Sequence, residues 1–152
     1  MKIPYGSTFF PSGVPGSVLP SRGVLSGRIL DEEVEKAEVK TRLNTANRYG
    51  TGQCDGWKNI VKNSLITAMI NVEYWPYLLS VTDVSSIPKT AKTLLKIVKC
   101  EMKMICKAFG VILVTWCTDC GGDAAKMRRL LVRKYPWIIV LDCWAHQLQL
   151  FL

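Results

Sequence analysis

Long apolar runs are the first thing this chain lacks. No uncharged stretch reaches the ~18 residues needed to cross a bilayer as a helix. A secretory pattern is missing as well, because Met1-Lys2 leads into proline and glycine rather than into an apolar core of ~7–15 residues. Without such a signal, the six cysteines are expected to be reduced intracellular thiols, not a disulfide framework. Acidic residues are scarce: 12 Asp and Glu face 20 Lys and Arg, a formal net charge of +8. That imbalance points to a polyanionic partner, most simply nucleic acid. Internal repeats and low-complexity runs are also absent.

The 152 residues suit one globular domain with additions. Residues 1–25 hold four of the seven prolines with several Gly and Ser, and are expected to form an extended arm. Residues 26–49 are expected to hold a helix and a connector. Asp31, Glu32, Glu33 and Glu35 open the helix Leu30–Asn44 and Lys36, Lys40 and Arg42 follow, as the helix dipole favours. Residues 50–152 carry the pattern three strands, helix, strand, helix, strand. The strand-like runs are Gly50–Trp57, Ser64–Val72, Tyr77–Val84, Val111–Trp116 and Trp137–Leu141. The last two are apolar on both faces, which predicts parallel strands covered by helices on each side. The fold expected is α/β: a mixed five-stranded sheet in the order 3-2-1-4-5, flanked by helices.

Two basic clusters stand out. Lys89, Lys92, Lys96, Lys99, Lys103 and Lys107 fall within about an 80° arc at roughly 100° per residue of helix. Ala91, Leu94, Val98, Met102, Ile105 and Phe109 centre on the opposite side, towards a core. Lys126, Arg128, Arg129 and Arg133 form a second cluster on the helix Ala124–Lys134. Either cluster reads as a solvated face or as a track for phosphates.

The candidate chemistry lies at strand ends. Asp55 in Gln-Cys-Asp-Gly-Trp and Asp119 after Val111–Thr118 each follow an apolar run, and Cys143-Trp-Ala-His146 follows the last strand. Carboxylates leaving neighbouring strands converge at one sheet edge and suit hard, oxygen-seeking Mg²⁺ or Mn²⁺. The structural alternative is a turn residue or helix cap, as Asp119 before Gly121-Gly122 illustrates.

These motifs, taken with Lys89-Thr-Ala, Lys126-Met-Arg-Arg-Leu-Leu and Lys134-Tyr-Pro-Trp in the same order, resemble the front half of the catalytic domain of hAT-superfamily transposases. The fungal, transposon-derived members are most similar, and the resemblance runs from about Val24 onward. It implies an RNase H-like fold, with Asp55 and Asp119 as metal-binding acids and Cys143 and His146 as the Cys-x-x-His motif. It also implies metal-dependent DNA strand transfer, a nuclear location, and DNA, a protein partner or a full-length transposase as partners. The family's third acid, a Glu, follows a large insertion after Cys-x-x-His, whereas six residues follow His146 here. The usual upstream zinc finger is also missing, and Cys120-Gly-Gly-Asp123 replaces a frequent Asn-x-x-Asn. The expectation is a domain truncated after its fifth strand and catalytically incomplete, retained for DNA or protein binding. An active nuclease would need another acid (Asp83, Asp123 or Asp142) or a partner chain.

Cysteine spacing admits two further readings. Cys117, Cys120, Cys143 and His146 have a spacing that can hold structural zinc. Cys117-Thr-Asp-Cys120 between strand and helix mimics a thioredoxin-type redox pair. Finally, Leu148, Leu150, Phe151 and Leu152 are expected to leave apolar surface uncovered and to favour association.

Overall fold

A computed structural model describes residues 20–149, the side chain of Gln149 apart. Most of the expected proline-rich arm and the run Leu150–Leu152 lie outside the described residues. The chain divides into two units, residues 1–38 and 39–152.

In the first unit, helix begins earlier than composition suggests. Helix α1 covers Arg22–Val24 and passes through a π-helical turn, Leu25–Ile29, into α2, Leu30–Thr45, which runs on into the second unit. Ser21 provides the start, its hydroxyl accepting from Val24 N at 3.3 Å. Gly27 leaves helical geometry at φ −110°, ψ −113° and kinks the path. Four residues taken for the arm, Arg22–Leu25, are therefore helical.

The second unit is an α/β, RNase H-like sheet. Its strands are β1 Tyr49–Lys58, β2 Ser64–Val72, β3 Trp75–Asp83, β4 Ile112–Thr118 and β5 Ile139–Asp142, in the order β3-β2-β1-β4-β5. Strands β1, β2 and β3 are antiparallel neighbours, and β4 and β5 run parallel to β1. Helix α3, Ala91–Ala108, connects β3 to β4, α4, Gly122–Lys134, connects β4 to β5, and α5, Trp144–Gln149, follows β5. Thr90 caps α3 through its hydroxyl, and Gly110 at φ +65° turns the chain away after it.

Side-chain alternation divides the sheet faces. Gly50, Gly52 and Cys54 on β1 pair with Val72, Ile70 and Ala68 on β2, and this face carries the core with Trp116. Val98, Met102 and Ile105 of α3 and Met127 and Leu131 of α4 close over it. Gly52 is required here, because a Cβ would lie 2.3 Å from the Trp116 ring. The opposite face differs from the sequence expectation of helices on both sides. Tyr49, Leu78, Val81, Ile112, Ile139 and Leu141 stay exposed on the strands. No described helix is long and apolar enough to cross a membrane.

Candidate functional site

Register places the two carboxylates together. Gln53 of β1 pairs with Cys117 of the parallel strand β4, and Asp55 and Asp119 each lie two residues further on. The period of two puts Asp55 on the sheet face away from α3 and α4. Asp55, Asp119, Cys143 and His146 all line one cleft of about 180 Å³, with Gln53, Thr67 and Cys117 among its other walls.

Each carboxylate is half committed. Asp55 Oδ1 accepts from Gly56 N at 2.9 Å, and Asp119 Oδ1 accepts from Gly121 N at 3.0 Å. The Asp119 bond is the turn function anticipated for that residue, with Gly121 rather than Asp119 at the N-cap position of α4. No hydrogen bond among the described residues engages Oδ2 of either aspartate.

His146 borders Asp55, its Nε2 lying 3.7 Å from Asp55 Oδ1. The neighbouring Cys143 side chain raises the imidazole above its usual pKa, and the charges of Asp55 and Asp119 add smaller pulls. The neighbouring His146 in turn lowers the Cys143 thiol. The charged imidazole is thus favoured by folding. Its contribution to stability is full below the unfolded-state pKa and is lost as pH rises through the higher folded one. In an NMR titration, His146 should titrate above its ordinary value. Cys143→Ala should return most of that shift and Asp55→Asn a smaller part; an unshifted wild-type His146 would contradict the arrangement.

The cysteines do not form the alternatives their spacing allowed. Among the described residues, no group of three or more His, Cys, Asp or Glu side chains is placed to hold a metal ion. Cys117, Cys120, Cys143 and His146 therefore do not make a zinc centre. Burial pushes the Cys117 thiol up, opposite to a redox-active pair, and pushes Cys54 up to about 12, leaving it an inert core residue. Cys100 and Cys106 are exposed on α3.

The acids considered as a third ligand lie elsewhere. Asp83 accepts from Ser85 N at 2.8 Å and from Asn63 Nδ2 at 3.2 Å, and its bonds to Ser85 hold it below the usual carboxylate range. Asp123 Oδ1 accepts from Ala91 N at 3.2 Å, beside a separate, more apolar cavity of about 320 Å³ lined by Leu65, Ile66, Val84 and Leu94. Asp142 pairs with Arg128. None of the three lines the cleft.

Arg128 is a correction to the basic surface. It is 7% exposed, and its guanidinium donates to Thr118 Oγ1 and, at 2.6 Å, to the Asp119 carbonyl, besides its pairing with Asp142. It holds the β4–α4 loop and is not free for a phosphate. The signal was available: Ala124, Met127, Arg128 and Leu131 are the buried residues of α4, at the i, i+3, i+4, i+7 spacing of a core-facing stripe. Thr67 was also missed, since an isolated Thr in an apolar strand reads as β propensity alone.

The remaining cations stay at the surface. Lys89, Lys92, Lys96, Lys103, Lys107, Lys126, Arg129 and Arg133 are exposed, and Lys99 is half-buried. Among the described residues none of them is within 4.0 Å of a carboxylate partner. The α3 and α4 stripes thus belong to the helical side of the sheet, and Asp55 to the other face.

Asp55, within β1, and Asp119, just past β4, offer hard oxygen donors from adjacent strands, and two carboxylates with water completing the shell are an ordinary Mg²⁺ environment. By donor chemistry alone, these two carboxylates are of the kind Mg²⁺ takes. No protein-family model matches this chain, and no curated protein matches it in sequence.

Proposed function

We propose that this chain is a nucleic-acid-binding domain descended from hAT-superfamily transposases, and that it binds Mg²⁺ or Mn²⁺ without efficient strand cleavage on its own. The observation that carries the reading is the arrival of Asp55 and Asp119 in one cleft from neighbouring parallel strands. What a divalent ion supplies there is charge neutralisation of a phosphodiester and a more acidic bound water. The chain's own part is to orient the carboxylates: Gly56 N and Gly121 N each fix one oxygen, and Arg128 anchors the Asp119 backbone. Two-metal cleavage calls for further carboxylates, and Asp83, Asp123 and Asp142 are occupied outside the cleft. A nuclease would therefore need an acid from a partner chain.

The unpaired cations of α3 and α4 supply the non-specific affinity for DNA. Their position on the helical side implies that duplex held there does not lie over the cleft unless it wraps the sheet edge. A DNA partner also implies a nuclear setting for the protein.

The test combines DNA retention and plasmid nicking. Fluorescence anisotropy should show salt-sensitive DNA binding, and Lys96→Glu with Lys103→Glu should weaken it and reduce the log–log salt slope by about 2. Supercoiled plasmid should stay intact with Mn²⁺. Nicking that disappears in Asp55→Ala would instead establish the nuclease, and retention indifferent to salt and to both lysine changes would reject nucleic-acid binding.

A further inference from the structure

Two polar atoms in the cleft, Thr67 Oγ1 and His146 Nδ1, have no hydrogen-bond partner among the described residues, and Thr67 is the more deeply buried of the two residues. It is 8% exposed, lines the cleft, and its Oγ1 is buried with no hydrogen-bond partner. A buried hydroxyl left unpaired is a cost, and a valine of the same shape would avoid it. The register restricts what the hydroxyl can serve. Thr67 sits between Asp55 on β1 and Val81 on β3, and its same-face neighbours along β2 are Leu65 and Met69. Gln53, one pair along β1, already donates from Nε2 to Met69 Sδ at 4.0 Å. Of the two residues directly opposite, only Asp55 can accept a hydrogen bond. Directly opposed residues in an antiparallel pair have Cβ atoms ~4.5–5.5 Å apart, within reach of a hydroxyl and a carboxylate.

We propose that Thr67 is a positioning residue for the cation site: its hydroxyl donates to the Asp55 carboxylate when that group turns into the cleft to hold a divalent ion. Asp55 has Oδ1 on Gly56 N and Oδ2 without a hydrogen-bond partner among the described residues, which leaves one carboxylate oxygen for Thr67 or for an ion. The bond is assigned to the ion-bound arrangement. It orients the carboxylate, and a charge-assisted bond of this kind is stronger than a neutral one. The inference rests on the reading of Asp55 and Asp119 as cation ligands, and it adds a third strand, β2, to the site.

The experiment is Mn²⁺ titration calorimetry on the full chain, paired with urea unfolding of metal-free protein. Thr67→Val should weaken Mn²⁺ binding about tenfold, the loss of one hydrogen bond to a charged group. Thr67→Ser should stay within about twofold of wild type, since it keeps the hydroxyl. In metal-free protein, Thr67→Val should unfold at the same or higher urea, because it removes an unpaired buried group. Weaker binding combined with undiminished stability is an outcome that a purely structural threonine cannot produce. Should Thr67→Val fail to fold, the contrast between Thr67→Ala and Thr67→Ser carries the same test. Wild-type binding lost in Asp55→Asn but unchanged in Thr67→Val would overturn this inference alone. No Mn²⁺ binding by wild type would overturn the cation reading and this inference with it.

Discussion

Replacing Gly52 by alanine should destabilise the protein by about 3 kcal/mol, the upper part of the range for overpacking a filled core. A Cβ at this position would stand 2.3 Å from Cε3 and Cζ3 of Trp116 and 3.2 Å from a Leu113 methyl. Trp116 is fully buried, between the central strands and the core-facing helices, so the ring has nowhere to retreat. The loss is large beside the ~5–15 kcal/mol that holds a typical domain together. Gly56, on the same strand and the same face, is the internal control. A Cβ there meets only ordinary contacts at 3.7 and 3.9 Å, so Gly56→Ala should shift stability by less than about 0.5 kcal/mol. Combining Gly52→Ala with Trp116→Leu should recover part of the first loss, since residues in contact are not additive. Equal urea midpoints for Gly52→Ala and Gly56→Ala would show that the strand does not pack against the indole as described.

Arg128→Met should cost about 2–4 kcal/mol. The guanidinium is buried and bonded to Thr118 Oγ1, the Asp119 carbonyl and the Asp142 carboxylate, so three acceptors lose a charged donor together. The estimate lies below the range for breaking a fully buried pair because the Asp142 side chain is 42% exposed and can rehydrate. Arg128→Lys should recover only part of the loss, as an ammonium cannot reproduce the planar fork. The change should also reach the cleft. Asp119 is tied to α4 by its carbonyl through Arg128, so loosening that loop should weaken Mn²⁺ binding in Arg128→Met even where the protein remains folded. Urea unfolding followed by Mn²⁺ titration tests both halves. A variant as stable as wild type would place Arg128 back on the solvated surface, as a phosphate contact.

Both effects depend on contacts between residues far apart in sequence, and they mark where reading the sequence stops. The strand-like runs, the helices between them and the sheet order could be read because each rests on local periodicity and on short connections. Ser64–Val72 coincides with β2, and the strip Val98, Met102 and Ile105 faces the core as its spacing requires. Ends were displaced where propensity is flat: β4 runs on to Thr118 and β5 begins only at Ile139, because pairing with the neighbouring strand, not composition, sets those limits. The helix start at Arg22 was hidden by the glycines around it, since a single hydroxyl cap at Ser21 outweighed their low propensity.

The sequence by itself determined the basic charge, the alternation of strand and helix, and the placement of Asp119 just beyond β4, whereas Asp55, expected past its strand, lies within β1 because pairing with β2 carries that strand on to Lys58. Tertiary structure decided that these two side chains enter one cleft, because the parallel register of β1 and β4 aligns them two residues past Gln53 and Cys117. It also decided that Arg128 is buried while Lys126 and Arg129 are exposed, and that the cysteines and His146 form no zinc centre among the described residues. The division has one physical cause. Periodicity fixes which face of an element a side chain occupies, but burial, ion pairing and metal reach depend on what another element brings to within a few ångströms of that face.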